Sequence, residues 1–245
     1  MSGFSLGCGV VIEWFELFGG YTDPAIIPEM ERDRLDFAAQ PGFIRKLLVV
    51  GDAAGGGDLG GGIYFLRDLD KAKAFLHWAT EEHRDPDGHT FEEREYVGES
   101  EGYVGELIGH YGPDYDADIA GAVRIQQFSR GTASRAELQQ KWQDISGTLG
   151  SSGLLGASLV LDEDADMVFV ILVSAIRSAH DSLDRRAFDE LNAAGIASEA
   201  VATDAVEDIL LWVHTVWEGY EPGTAARDAQ WPNSPPLPHA PYWNA

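Results

Sequence analysis

One cysteine in 245 residues leaves no partner within the chain for a disulfide and no second thiolate for a metal cluster. Cations are scarce as well: 17 Lys and Arg stand against 41 Asp and Glu, a formal net charge of −24. Nucleic acid and anionic membrane surfaces are bound through basic stripes that release counterions or meet headgroups, so neither is an expected partner. No long hydrophobic run is present. The longest, 167–176, is about half what a membrane-spanning helix needs and reads as a buried strand. The stretch 9–18 is interrupted by Glu13 and Glu16 and lacks a preceding charged segment, so no secretory signal is expected and the chain is expected in the cytoplasm.

What the chain does have is 44% hydrophobic residues, ample for a packed core, and the same structural phrase twice. Residues near 9–110 and 121–218 each read strand, helix, strand, strand, helix, strand. At an offset of 112, Gly9, Val11, Phe15 and Gly19 line up with Gly121, Val123, Gln127 and Gly131. Further on, Pro41-Gly42-Phe43 answers Ser152-Gly153-Leu154, and Leu69-Asp70-Lys71 answers Leu183-Asp184-Arg185. Self-similarity at a fixed period constrains every later inference.

In the first half, β-branched and aromatic residues predict strands over 10–18, 43–50 and 60–66. Asp23-Pro24 opens a helix to about Gln40, and Leu69, Ala72, Leu76 and Ala79 mark a second. The segment 91–118 predicts either one strand, at 94–97, or two, with the second at 103–110. In the second half Ser134 and Glu137 form a capping box, opening a helix with apolar positions Leu138, Trp142, Ile145 and Leu149. A hairpin follows over 154–161 and 167–176, then a helix through Leu183, Ala187 and Leu191, and a last strand at 209–217. Three units are expected: an N-terminal half over 1–116, a C-terminal half over 117–223 and a Pro-rich tail over 224–245.

The order β–α–β–β–α–β is the ferredoxin-like unit. One copy leaves a sheet face bare, and two copies cover each other. The expected fold is therefore α+β: tandem ferredoxin-like repeats forming an intramolecular α+β barrel around an apolar chamber.

Pro41-Gly42-Phe43-Ile44-Arg45-Lys46-Leu47, then Gly60-Gly61-Gly62-Ile63-Tyr64-Phe65 and 70–75, resemble the dimeric α+β-barrel monooxygenase superfamily, of the antibiotic-biosynthesis type. The tandem form resembles the ring-cleaving oxygenases of angucycline pathways, of the jadomycin and gilvocarcin type. The resemblance implies an oxygenase that consumes O2 and acts on a polycyclic aromatic quinone or phenol from a polyketide pathway. It further implies reduced flavin (FAD or FMN) as a diffusible cosubstrate, with a flavin reductase as partner. No catalytic residue is carried over by the matching glycines and core positions. A polyketide cyclase or isomerase working without O2, and a non-enzymatic ligand carrier, are the alternatives, and a further pairing into a homodimer is left open.

Individual residues add candidates. The cluster 55–60 contains GxGxxG, but a strand follows it where a dinucleotide site needs a helix; it reads as a hairpin turn. His77, Glu81, His83 and His89 lack the convergent donor set of a metal centre, so no metal is expected. His77 beside Trp78 is either a base facing a cavity or a solvated surface histidine. Alternation along Trp212-Val213-His214 puts Trp212 and His214 on one sheet face, where His214 is either an acid–base group toward a phenol or a satisfied core histidine. Trp14, Tyr64 and Trp142 either line a flat aromatic cavity, with Trp78 and Trp212, or are plain core. Arg124 and Arg177, cations within strands, either hold a ligand's phenolate, carboxylate or flavin phosphate or pair a buried carboxylate of the protein. The candidate catalytic set is His214, His77 and Arg124; the candidate substrate-binding set is Trp14, Tyr64, Trp78, Trp142, Trp212 and Arg177.

Overall fold

A computed structural model of the chain describes residues 5–19, 33–52, 58–85, 87–112, 122–149, 154–174 and 208–218, the last as backbone. The expected helix 183–191, the tail 224–245, Arg177 and most of the expected helix 23–40 lie outside the described residues.

The runs of branched and aromatic residues form strands, as their fit to a pleated surface dictates. They are β1 (Gly9–Leu17), β2 (Phe43–Asp52), β3 (Asp58–Leu66), β4 (Val97–Tyr111), β5 (Ala122–Ser129), β6 (Leu154–Asp162), β7 (Met167–Ser174) and β8 (Asp208–Glu218). The described helices are α1 (Arg34–Ala38), α2 (Leu69–His77) and α3 (Arg135–Leu149). The capping box at α3 forms as the sequence predicts: Glu137 N–H donates to Ser134 Oγ at 3.3 Å, and Ser134 N–H to Glu137 Oε2 at 2.8 Å. The segment after α2 differs from expectation. Arg94 ends a 3₁₀ turn, Phe91–Glu93, and a single strand starts at Val97. None of the described helices is long and apolar enough to cross a membrane.

The strands close into a barrel in the order β1-β3-β2-β8-β5-β7-β6-β4, every pair antiparallel. The first four strands run β4-β1-β3-β2, and the last four repeat that order as β8-β5-β7-β6. This is the α+β, ferredoxin-like arrangement. Two strands reach across: β4 pairs with β1 over 97–106 and with β6 over 106–111, and β8 pairs with β5 over 208–212 and with β2 over 211–218. Closure leaves no open edge among the described strands. Irregularities recur in step. The β2–β3 ladder slips between Phe43 and Arg45, and the β6–β7 ladder between Leu154 and Gly156. The two junctions slip as well, leaving Ile108 and His214 as the extra residues of their bulges.

Alternation sorts the side chains into three layers. Val10, Ile12 and Trp14 point into the barrel with Phe65, Ile125 and Phe169. Among the described residues the barrel axis is lined by packed core. Outside it, Phe37 of α1 and Phe75 of α2 cover the first half of the sheet, while Leu138, Trp142, Ile145 and Leu149 of α3 cover the second. The indole of Trp142 lies on bare backbone at Gly109, where an added Cβ would come within 2.5 Å of the ring.

The layers do not fit the offset of 112. Val11 belongs to the outer layer of the first half and Val123 to the barrel interior, so the offset of 112 pairs residues on opposite faces. A one-residue slip exchanges the faces of a strand. With the shared bulge aligning Gly62 with Val170, Glu13 (opposite Gly62) answers Gln126 (opposite Val170).

Candidate active site

Polar groups gather where the first half's sheet meets α1, the end of α2 and the 3₁₀ turn. Glu13 stands in the middle of apolar β1 and is 9% exposed; Lys46, from β2, is 5% exposed. Tyr64 of β3 donates its hydroxyl hydrogen to Glu13 Oε2 at 3.2 Å. Lys46 Nζ sits 4.6 Å from the centre of the Tyr64 ring and 5.3 Å from that of Phe37, so its charge also stabilises the aromatic faces. Three neighbouring strands therefore present a carboxyl, a phenol and an ammonium on one face.

Burial pushes the Glu13 carboxyl above the usual carboxylate range, and the charge of Lys46 and the hydrogen bond from Tyr64 only partly offset it. Burial, then the negative charge of Glu13, pushes the Tyr64 phenol well above its ordinary value. The phenol thus keeps its proton while the carboxyl is poised to exchange one.

Glycine makes this packing attainable. A Cβ on Gly62 would fall 2.6 Å from Tyr64 Cε2 and 2.7 Å from Lys46 Cε. Gly62→Ala should cost about 1–3 kcal/mol by overpacking and separate Tyr64 from Glu13. Urea denaturation reads the first effect; an unchanged midpoint would contradict it.

The open side of the site is built by α2, which ends in a single π turn, Trp78–Glu82. Such turns re-aim side chains, and here the turn brings in Trp78 and His83. Phe37 packs edge-on against Phe75, Trp78 and His83 at centroid distances of 5.5, 5.3 and 5.2 Å. Asp33, at the start of α1, meets Arg94 Nη1 at 2.5 Å, and Arg94 also donates to Tyr96 Oη at 3.1 Å. His83 Nε2 lies 3.7 Å from Asp36 and 4.0 Å from Asp33. Between these groups is a cavity of about 20 Å³, lined by Lys46, Tyr64, Phe37, Arg94, Phe91 and Tyr96. It is room for one water.

The second half has no counterpart among the described residues. The shared bulge aligns Lys46 and Tyr64, which face each other, with Ala157 and Leu172, which also face each other. Glu13, Lys46 and Tyr64 are thus answered by Gln126, Ala157 and Leu172, under an outer layer formed by α3 and apolar strand residues. Among the described residues, no group of three or more His, Cys, Asp or Glu is placed to hold a metal ion.

Of the residues singled out from sequence, the structure brings Tyr64 and Trp78 together here. Trp14 is elsewhere, inside the barrel, 5.5 Å from Tyr103. Trp142 is the centre of the second half's outer core. His77 is 67% exposed and pairs with Glu82 at 3.5 Å; it faces solvent, because the helix turns its apolar stripe of Ala72 and Phe75 inward. Arg124 lies on β5, opposite Leu172 and Leu210, in the other half. Trp212 pairs in register with Val50 and Ala122, and His214 occupies a β8 bulge; their side chains lie outside the described residues. Glu13, Lys46, His83 and Arg94 were missed as a group. The available signal was a lone charge in an otherwise apolar strand, visible at Glu13, together with cations in a chain that has few.

No protein-family model and no curated protein matches the chain. Solved structures match along both halves. An anthrone oxidase-like protein superposes with a TM-score of 0.60 at 13% identity, covering 89% of this chain and 96% of its own. A candidate monooxygenase from Fusobacterium nucleatum gives 0.58 at 9% identity, covering 88% and 96%. One from Lactobacillus acidophilus gives 0.50 at 12%, covering 87% and 97%. At these identities the likeness establishes the class of fold: a ferredoxin-like α+β protein, shared with chains that span both halves.

Proposed function

We propose that the chain is an oxygenase that oxidises an ionisable aromatic substrate with O2, with its working site in the first half. The observation that carries this reading is the buried Glu13–Tyr64–Lys46 group beside an aromatic-walled cavity. The neighbours named for monooxygenase and anthrone oxidase chemistry support it as analogy of fold. We take the chain to be a fused pair of ferredoxin-like halves, one of which has given up its polar groups.

Triplet oxygen reacts with closed-shell organics once they carry an electron-rich anion. An aromatic methylene beside a carbonyl, as in an anthrone, or a phenol, gives such an anion on losing a proton. Tyr64 lines the cavity and is the catalytic residue: its oxygen accepts the substrate proton as its own hydrogen passes to Glu13. Lys46 stabilises the oxyanion that forms. The carbanion then adds O2, giving a hydroperoxide whose O–O bond breaks to leave a carbonyl and water. One O2 is consumed per methylene, and its four electrons come from that carbon. A hydroxylated polyketide intermediate of antibiotic biosynthesis is the proposed substrate class.

The cavity of about 20 Å³ admits an aromatic ring only if α1 moves outward. α1 is five residues long and its entry is pinned by the Asp33–Arg94 pair. No step is assigned to flavin.

Oxygen uptake with anthrone as substrate tests the reading. One O2 consumed per quinone formed supports it, and no uptake across anthrones and hydroxynaphthoquinones contradicts it. Turnover without O2 would favour the cyclase reading, for which the same proton relay would serve an aldol step.

A further inference from the structure

We propose that Arg94 recognises a carboxylate on the ligand, by its unfilled side-on edge. Arg94 lines the cavity, and its side chain is 6% exposed. Only one of its nitrogens is engaged: Nη1 meets Asp33 and Tyr96. Nε and Nη2 are buried without a hydrogen-bond partner among the described residues. Those two N–H groups form the parallel fork that matches both oxygens of a carboxylate. Asp85 does not fill it. Its Oδ2 stands 4.0 Å from Nε, beyond hydrogen bonding, while its Oδ1 accepts the N–H groups of Asp87 and His89. The Phe91 ring, centred 5.6 Å from the guanidinium carbon, helps hold the plane in place.

Buried charged donors are almost always hydrogen-bonded in folded proteins, so an unpartnered fork on a residue that lines the cavity calls for a partner. The partner must bring two acceptor oxygens in one plane. A chain of net charge −24 repels anions over most of its surface, so an anionic ligand needs an inward-facing cation to enter. Arg94, at the end of the 3₁₀ turn, supplies it, and Lys46 supplies a second cation from the sheet.

The inference rests on the same cleft as the functional reading, but its test measures binding and not turnover. Titrate the protein with 9,10-anthraquinone-2-carboxylate and with the matching 2-carboxamide, following heat or tryptophan fluorescence. The wild type should bind the carboxylate about tenfold or more tightly, the scale of a bidentate pair. Arg94→Lys keeps the charge and loses the fork. It should reduce the preference to near unity and retain the wild-type circular dichroism. Equal affinities in the wild type would overturn the proposal, as would a preference that survives in folded Arg94→Lys. The wild-type comparison decides even if the variant does not fold. Preference without oxygen uptake would sink the oxygenase reading and leave the recognition site standing.

Discussion

Glu13→Gln lowers the rate of oxygen uptake by about 10²- to 10⁴-fold, the range that a positioned acid–base group contributes. The amide still accepts the hydrogen bond from Tyr64, so the variant keeps the geometry while losing the proton acceptor. In the wild type the rate rises with pH through the raised Glu13 pKa, because the relay needs the carboxylate; in the variant that limb disappears.

The same substitution stabilises the fold. The folded-state pKa of Glu13 lies above its unfolded value, with burial as the main cause. Between the two values the native state binds more protons than the unfolded state, so stability falls as pH rises through that window. The neutral amide escapes this loss. Glu13→Gln should therefore melt higher than the wild type at pH 8, and the difference should shrink as pH drops below the ordinary glutamate range, about 4.3. A variant less stable at pH 8 would show that Lys46 and Tyr64 outweigh the cost of burial. Gain of stability with loss of rate is what a buried group kept for chemistry produces.

Trp142→Ala has the opposite signature. The side chain is 3% exposed and centres the outer layer of the second half. Removing it leaves a large cavity over Gly109, because a backbone that rests on an indole does not collapse onto a methyl group. The expected cost is about 3–5 kcal/mol in urea denaturation, with the oxygen uptake per folded molecule unchanged. Loss of activity in a variant of wild-type stability would move the working site into the second half.

Much of the architecture was legible. Strands announced themselves through branched and aromatic runs, and Ser134 with Glu137 marked the start of α3. Face assignment was harder. The weak match between the halves suggests 112 by eye, but only strand pairing shows that Val11 and Val123 face different layers. The site was harder still. Glu13 meets Tyr64 across 51 residues, and Asp33 meets Arg94 across 61; no local spacing encodes either contact. His77 looked promising because it sits beside Trp78, yet adjacent residues on a helix point some 100° apart. Trp78 turns inward and His77 does not. Lys46, like Arg124, is a strand cation in a chain with few cations, and its burial makes it the more telling case.

Crystals soaked with 9,10-anthraquinone-2-carboxylate put the central claim to direct test. The ligand should lie in the first half, between the sheet and α1, with a ring carbonyl near Tyr64 Oη and Lys46 Nζ and its carboxylate on Arg94. Density in the second half, or none in a first-half cleft saturated by titration, would contradict the assignment.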